Sequence, residues 1–266
     1  MTNQHGGQHG GQYEGLIWSA SSGPEDAQRI VLVHGSLDRS AGLLKLSRRF
    51  DELYQVTRYD RRGYGKSVPC SGPFDIDAQV ADLIHVVEAG STPCVVFAHS
   101  FGGNIGLALA ERRPDLVRAV VTYESPLSWL PTWPGISSVL ASNAWSADPA
   151  RGAEAFMRRM IGNKRWERMP DSTKAARRSE GPALLGELAA IRVSPPWSAD
   201  GVRVPVLALV GEFAADHHQV GMHSLAGLLP DCRVVTIAGA AHFGPNSHPD
   251  EVADATLDFL KQCGVV

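Results

Sequence analysis

Residues 93–104 read PCVVFAHSFGGN, an apolar run that ends in a serine among small residues. The β-branched segment CVVF predicts a buried parallel strand, and residues 105–111, IGLALAE, predict a helix. A serine between strand and helix, with small residues two positions away on both sides, is the pattern of a nucleophile elbow. Those residues are Ala98, where the usual pattern has glycine, and Gly102. Ser100 is therefore the predicted nucleophile, with an ordinary loop serine as the alternative.

Strand and helix patterns alternate on both sides of this stretch. Further apolar strands are predicted at residues 30–33, 56–59, 117–123, 206–210 and 233–237. Apolar residues recur at helical spacing at residues 41–53 and near the end of the chain. They do so again in a helix that starts near Asp75 and Asp77, which can cap it. Strands separated by helical crossovers predict an α/β fold with a mostly parallel central sheet and helices on both faces. Ligands of such sheets bind beyond the carboxyl ends of the strands.

The alternation stops between residues 125 and 200. Five of the six tryptophans lie in this segment, and residues 153–161 and 173–191 are amphipathic. We predict a helical cap at 125–200, inserted into a core formed by 13–124 and 201–266. Such a cap would cover a mostly apolar pocket and exclude water from it. Trp129 and Trp133 are predicted pocket residues, and packing of the cap onto the core is the alternative role for each tryptophan.

Composition limits the classes of partner. The chain has 266 residues, 44% of them hydrophobic, and a net charge of -3. It has no basic field for nucleic acid or anionic membrane, so a small-molecule substrate is expected. The four scattered cysteines lack metal-ligand spacing and are expected to be reduced thiols. A cytoplasmic location is expected because the sequence has neither an apolar run long enough for a membrane span nor the pattern of a secretion signal. No cofactor and no metal are predicted. The glycine-rich residues 1–12 are predicted to be a disordered tail. The oligomeric state stays open, with a homodimer among the options.

Four segments in a fixed order resemble the α/β-hydrolase superfamily. They are His34-Gly35 after an early strand, DRRGYGKS at 60–67, AHSFGG at 98–103 and Ala241-His242-Phe243 near the end. The resemblance covers nearly all of the chain after the tail, and it implies the α/β-hydrolase fold with a serine nucleophile. It also implies that His34 and Phe243 help to form the substrate pocket.

A serine hydroxyl is a weak nucleophile, so it needs a histidine base held by a carboxylate. The resemblance makes His242 the base. The usual position of the acid, three residues after Gly211, holds alanine. Haloalkane dehalogenases and zearalenone lactonases are similar to this chain in having the acid where Glu124 stands, at the end of the strand that follows the elbow helix. Glu124 is therefore the first candidate, with Asp216 and then Glu212 as alternatives.

Acyl transfer also needs hydrogen-bond donors for the developing oxyanion. The backbone amides of Phe101 and Ser36 are the expected donors, with the amide of Gly35 as a fallback. In the predicted reaction, His242 takes the proton of Ser100, Ser100 attacks a carbonyl, Glu124 stabilises the imidazolium, and water resolves the acyl-enzyme.

The predicted function is hydrolysis of a carboxylic ester or lactone of a fairly apolar small molecule. The Ser100–Glu124 interval and the ending that starts at His242-Phe243-Gly244 resemble the zearalenone lactonases, which implies a macrolactone as one substrate. Cleavage of a carbon–carbon bond or perhydrolysis by the same triad is an alternative. A receptor that binds a small apolar ligand without catalysis is another.

Overall fold

A single eight-stranded sheet forms the centre of the computed structural model, which describes residues 9–13, 17–134, 143–192 and 194–265. The order of its strands is β1-β2-β4-β3-β5-β6-β7-β8. β2 runs antiparallel to both of its neighbours, and strands β3 to β8 run parallel to one another. The strands are β1 (His9–Tyr13), β2 (Ile17–Ser22), β3 (Arg29–Val33), β4 (Gln55–Tyr59), β5 (Cys94–His99), β6 (Val117–Tyr123), β7 (Val206–Gly211) and β8 (Cys232–Ile237).

Helices cover both faces of this sheet. The described helices are α1 (Leu44–Phe50), α2 (Ile76–Glu88), α3 (Phe101–Arg112), α4 (Asn143–Ser146), α5 (Pro149–Ile161), α6 (Asn163–Glu167), α7 (Asp171–Ser179), α8 (Gly181–Ala190), α9 (Asp216–Leu228), α10 (Gly244–Ser247) and α11 (Pro249–Gln262). Successive strand residues point to opposite faces. Val31 and Val33 therefore pack with α2, α3 and α9, whereas Ile30 and Leu32 pack with α1 and α11. The predicted α/β-hydrolase fold is confirmed.

The carboxyl ends of the parallel strands bring three distant parts of the chain to one edge. β5 ends at His99, which pairs with Tyr123 at the end of β6, so Ser100 and Glu124 follow neighbouring strand ends. Gly211 of β7 pairs with Ile237 of β8, and the loop after β8 holds His242. This edge is where the topology expects a ligand.

The segment between β6 and β7 contains α4 to α8, within the predicted cap; residues 135–142 lie outside the described residues. The predicted amphipathic piece 173–191 is not one helix. It breaks after Ser179 into α7 and α8, because Pro182 has no amide hydrogen to continue α7 and suits the first turn of a new helix. No described helix, in the cap or elsewhere, combines the length and the apolarity needed to span a bilayer.

The N-terminal region differs from the predicted disordered tail. His9–Tyr13 forms β1, which pairs with β2 from His9 opposite Ser21 to Tyr13 opposite Ile17. The prediction considered only the apolar surface that side chains could bury, whereas an edge strand is held by backbone hydrogen bonds that any sequence can make. Residues 1–8 and 14–16 lie outside the described residues.

Candidate active site

Ser100 lies in a strained turn between β5 and α3. Its φ is 53° and its ψ is -127°, a conformation that costs a residue with a side chain about 1–3 kcal/mol. The turn is held by the Ser100 amide, which donates to the carbonyl of Tyr123 at 2.8 Å. A Cβ on Gly102 would lie 2.7 Å from the carbonyl oxygen of Val33, so only glycine lets α3 approach β3 this closely. The small residues of the motif thus serve the packing that presents the serine.

Glu124 and His242 form a hydrogen-bonded pair. The Nδ1 atom of His242 lies 2.7 Å from Oε2 of Glu124, whose side chain is fully buried. The other carboxylate oxygen, Oε1, accepts the amide of Gly211 at 3.0 Å. An ionised carboxylate can only accept, so Nδ1 carries the proton and Nε2 of His242 is left as a base. Glu124 also has a positive φ, 48°, which marks a second strained position at this edge.

The loop that carries His242 is fixed by two side chains from the strand ends. The hydroxyl of Tyr123 donates to the carbonyl of Ala241 at 2.8 Å, and Nε2 of His99 donates to the carbonyl of His242 at 2.8 Å. Burial, together with the nearby charge of His242, lowers the pKa of His99 to about 3. His99 therefore stays neutral beside the catalytic candidates and holds the loop that carries His242.

The two alternative acids lie apart from His242. Oε2 of Glu212 accepts the amide of Gly239 at 2.8 Å, and Asp216 is exposed in the first turn of α9. Among the described hydrogen bonds, neither of these carboxylates contacts His242. Of the three acids that the sequence left open, Glu124 is the one that the fold brings to the imidazole.

Ser100 and His242 line the same cavity, which has a volume of about 410 Å³. No hydrogen bond joins their side chains among the described contacts. Such bonds are often long before substrate binds, so the pair remains suited to proton transfer. A second cavity of about 410 Å³ also reaches both residues, from the side of Gly35 and Phe243. The nucleophile candidate thus lies between two spaces that could hold the two halves of a substrate.

Backbone amides converge on the nucleophile from two loops. The amide of Phe101 begins α3, and the amide of Ser36 follows β3; neither has a partner among the described hydrogen bonds. A Cβ on Gly35 would lie 2.9 Å from Cβ of Ser100, so glycine is required for this loop to pass the serine. Free amides close to a nucleophile are suited to stabilising an oxyanion.

A buried charge network supports the loop that carries Ser36. Arg61 donates to the carbonyls of His34 and Gly35, each at 2.9 Å, and forms an ion pair with Glu187 of α8. The second oxygen of Glu187 accepts the hydroxyl of Ser36 at 2.7 Å and that of Tyr64 at 2.8 Å. The ion pair is almost completely buried. Helix α8 of the predicted cap is therefore bonded directly to the candidate oxyanion loop, a contact between distant segments that no local sequence pattern predicts.

Two of the predicted pocket residues have other roles. His34 is fully buried, and its ring donates to the carbonyl of Gly35 at 2.8 Å and accepts the amide of Arg61 at 2.9 Å. Burial lowers the pKa of His34 well below its usual range. With both nitrogens bonded, this residue supports the loop from beneath and is not among the residues that line either cavity beside Ser100.

Trp129 packs edge-on against Trp197, with ring centres 5.6 Å apart, in a groove that Ser100 does not line. Trp129 also packs against the buried cluster that includes residues of β5 and α3, so packing of the cap onto the core describes it better. Trp133 does line the first cavity, and Phe243 lines the second.

No role was predicted for His217 and His218, the second and third residues of α9. Both line the first cavity, and the ring of His218 stacks on that of His242 at 4.8 Å between centres. Burial lowers the pKa of His218 to about 2, ahead of the effect of the nearby charge of His242. The sequence did carry one sign that these histidines lie near the site. They begin the helix that follows β7, so they lie at the carboxyl edge of the sheet.

Glu124, His218 and His242 also have the spacing of a metal site, because each offers a ligand atom within 4.8 Å of the others. The rings of His218 and His242 lie at only 25° to each other, however, and stack face to face. Imidazole binds metal through a lone pair in the plane of its ring. Two stacked rings do not direct these lone pairs to a common point, so the arrangement does not fit a metal ion.

The chain belongs to the alpha/beta hydrolase family, whose sequence model matches residues 30–255. It is 35% identical over 103 residues to lipase LipV of Mycobacterium tuberculosis, an alignment that covers 38% of this chain and 39% of LipV. The first relatives found are matched over only about two fifths of their length.

Longer matches are more distant. The chain is 26% identical to the pimeloyl-[acyl-carrier protein] methyl ester esterase of Neisseria meningitidis, over 90% of this chain and 95% of that protein. A solved structure, a thermophilic esterase from Thermogutta terrifontis, superposes with a TM-score of 0.72 and 22% identity, and covers 93% of this chain and 94% of that one. That superposition shows a shared fold.

Proposed function

We propose that this protein is a serine hydrolase that cleaves carboxylic esters or lactones of fairly apolar small molecules through an acyl-enzyme. The observation that carries the proposal is the Glu124–His242 hydrogen bond of 2.7 Å beside a strained Ser100 on the same cavity. Relatives named lipase and methyl ester esterase support an ester as the bond that is cleaved.

Each step has a candidate group. His242 accepts the Ser100 proton at Nε2, and the serine oxygen attacks the carbonyl carbon of the ester. The amides of Phe101 and Ser36 donate to the oxyanion while Glu124 stabilises the imidazolium. The proton then passes from His242 to the leaving alcohol, and a water molecule activated by the same imidazole releases the acid and restores the serine.

Hydrolysis of a series of p-nitrophenyl esters from acetate to octanoate tests the proposal. Turnover by the wild-type protein, and its loss in Ser100→Ala, is the expected result. A protein that binds these esters without hydrolysing any of them would be the receptor that the sequence left as an alternative.

A macrolactone of the zearalenone type is the particular lactone that the sequence resemblance suggests. Chromatography of zearalenone after incubation with the protein should show a ring-opened acid. No conversion at high protein concentration removes this lactone from the proposal and leaves the ester reaction in place. We further propose a cytoplasmic location, which is supported by four cysteines that are all free thiols.

A further inference from the structure

The first cavity beside Ser100 has an uneven charge. Arg159 of α5 and Arg192, just after α8, both line it, and none of its described lining residues is acidic. Much of the remaining wall is apolar; this part includes Phe156, Met160, Leu188 and Ile191. A cavity of this kind suits a mostly apolar ligand that carries a negative charge.

Arg159 has no anionic partner in the described part of the chain. Its neighbour Arg158 forms ion pairs with Glu154 and Glu167, whereas the guanidinium of Arg159 lies 5.3 Å from the ring centre of Phe156. Partial burial lowers the pKa of Arg159, and no carboxylate opposes this effect. The residues outside the described ranges include one acidic side chain, Glu14.

The positive charge of Arg159 reaches the catalytic end of the cavity. After burial and the charge of His242, it is the next cause that lowers the pKa of His217, whose ring lies 4.6 Å from that of Trp133. A guanidinium without a counter-charge gains most from a carboxylate, which it can bind through two parallel hydrogen bonds. The apolar wall and this guanidinium together suit a ligand whose apolar chain ends in a carboxylate.

We propose that the ester substrate carries a carboxylate at the end of an apolar chain, and that Arg159 binds it with help from Arg192. This inference rests on the proposed function, since it names the substrate class of the same site. Arg159 is the specificity-determining residue in this account. The reaction itself is unchanged, and the carboxylate takes no part in it.

Two p-nitrophenyl esters of matched shape test the proposal. Mono-p-nitrophenyl adipate has a terminal carboxylate where p-nitrophenyl 6-methylheptanoate has an isopropyl group. The ratio of their kcat/KM values should fall by about 10- to 100-fold in Arg159→Gln, because hydrogen bonds to charged groups are lost. Arg151→Gln, on the same helix but not among the residues that line the cavity, is the matched control and should keep the wild-type ratio. An unchanged ratio in Arg159→Gln would overturn the proposal.

A binding measurement separates this proposal from the proposed function. Calorimetric titration of Ser100→Ala with monomethyl adipate should give a dissociation constant that rises about 10-fold or more in Ser100→Ala/Arg159→Gln. If binding weakens in this way while the wild-type protein hydrolyses neither ester, the carboxylate site stands and the ester hydrolase does not. If the protein hydrolyses both esters and Arg159→Gln changes neither the ratio nor the binding, the hydrolase stands and the carboxylate site does not.

Discussion

The sheet core and the helices of the predicted cap, α4 to α8, differ in how completely they are buried and in how much they rely on exposed ion pairs. β5, which leads into Ser100, is buried along its whole length, and so is β7. In the cap, α7 has no buried residue, and Glu154 of α5 pairs with Arg158 and Arg178. Packing fixes side chains more precisely than exposed ion pairs, which contribute little stability. The core is therefore suited to holding reacting groups in place, and the cap to recognising and admitting substrate.

This comparison predicts that changes at the strand ends abolish the reaction without unfolding the protein. Ser100→Ala should lower kcat on p-nitrophenyl butyrate by about 10³- to 10⁶-fold. Its melting temperature should stay close to that of the wild type, because the hydroxyl has no hydrogen bond to a described residue. Trp133→Ala, in the cap wall, should mainly raise KM. Activity within 10-fold of wild type in Ser100→Ala would place the nucleophile elsewhere.

The next largest loss of activity is expected from a change at the candidate acid, Glu124. Glu124→Gln keeps the shape of the side chain but removes the charge that stabilises the His242 imidazolium, so kcat should fall by about 10⁴-fold. Asp216→Asn is the matched control, and we expect it to retain most of the activity because Asp216 is exposed and away from the imidazole. Steady-state kinetics on one ester gives the kcat of both variants for comparison. The opposite order of effects would make Asp216 the acid.

The almost completely buried ion pair between Arg61 of the core and Glu187 of α8 should show how far the two regions depend on each other. Glu187→Leu leaves the Arg61 guanidinium buried without its partner, and such a change costs about 3–5 kcal/mol of unfolding free energy. Urea denaturation measures it. The double variant Arg61→Met/Glu187→Leu should recover part of the loss, because apolar side chains can replace a buried pair.

Activity distinguishes a structural role of this pair from a positioning role. In the double variant, kcat on a short ester should remain reduced even where stability is recovered, since the hydroxyl of Ser36 loses its acceptor on α8. Full recovery of both stability and kcat would show that Glu187 does not position the oxyanion loop.

The smallest predicted effects come from two aspartates that cap the N-termini of helices, one in the core and one in the helical cap. Asp75 accepts the amide of Ala78 at the start of α2, and Asp148 accepts that of Arg151 at the start of α5. Each Asp→Ala change should cost its helix about 1 kcal/mol. If the cap opens independently of the core, Asp75→Ala lowers the global melting temperature, whereas Asp148→Ala speeds hydrogen exchange within α5. Equal global shifts for both variants would show that core and cap unfold together.

The elements that could be predicted from the sequence are those defined by local patterns. The strand into Ser100, the small residues around it and the alternation of strands and helices each depend on residues close in sequence. The choice among Glu124, Asp216 and Glu212 could not be made in this way. It depends on the path of the loops after β6 and β7; the sequence shows that one usual position holds alanine, and only the resemblance ranks Glu124 first.

Features formed by packing between distant segments were missed. His218 reaches His242 because α9 begins at the carboxyl edge of the sheet, near the loop after β8, and Glu187 reaches Ser36 because α8 closes over the loop after β3. A histidine or a glutamate in a helix gives no local sign of such a contact. The pairing of β1 was missed for a related reason, since backbone hydrogen bonds between strands leave little trace in side-chain composition.

The central claim is that Ser100, His242 and Glu124 act as one unit. The most direct test is to treat the wild-type protein with a fluorophosphonate and locate the adduct by peptide mass spectrometry. The account predicts one stoichiometric adduct on Ser100, formed far more slowly in Glu124→Gln and not at all in Ser100→Ala. No adduct on the folded wild-type protein, or an adduct on another residue, would contradict it.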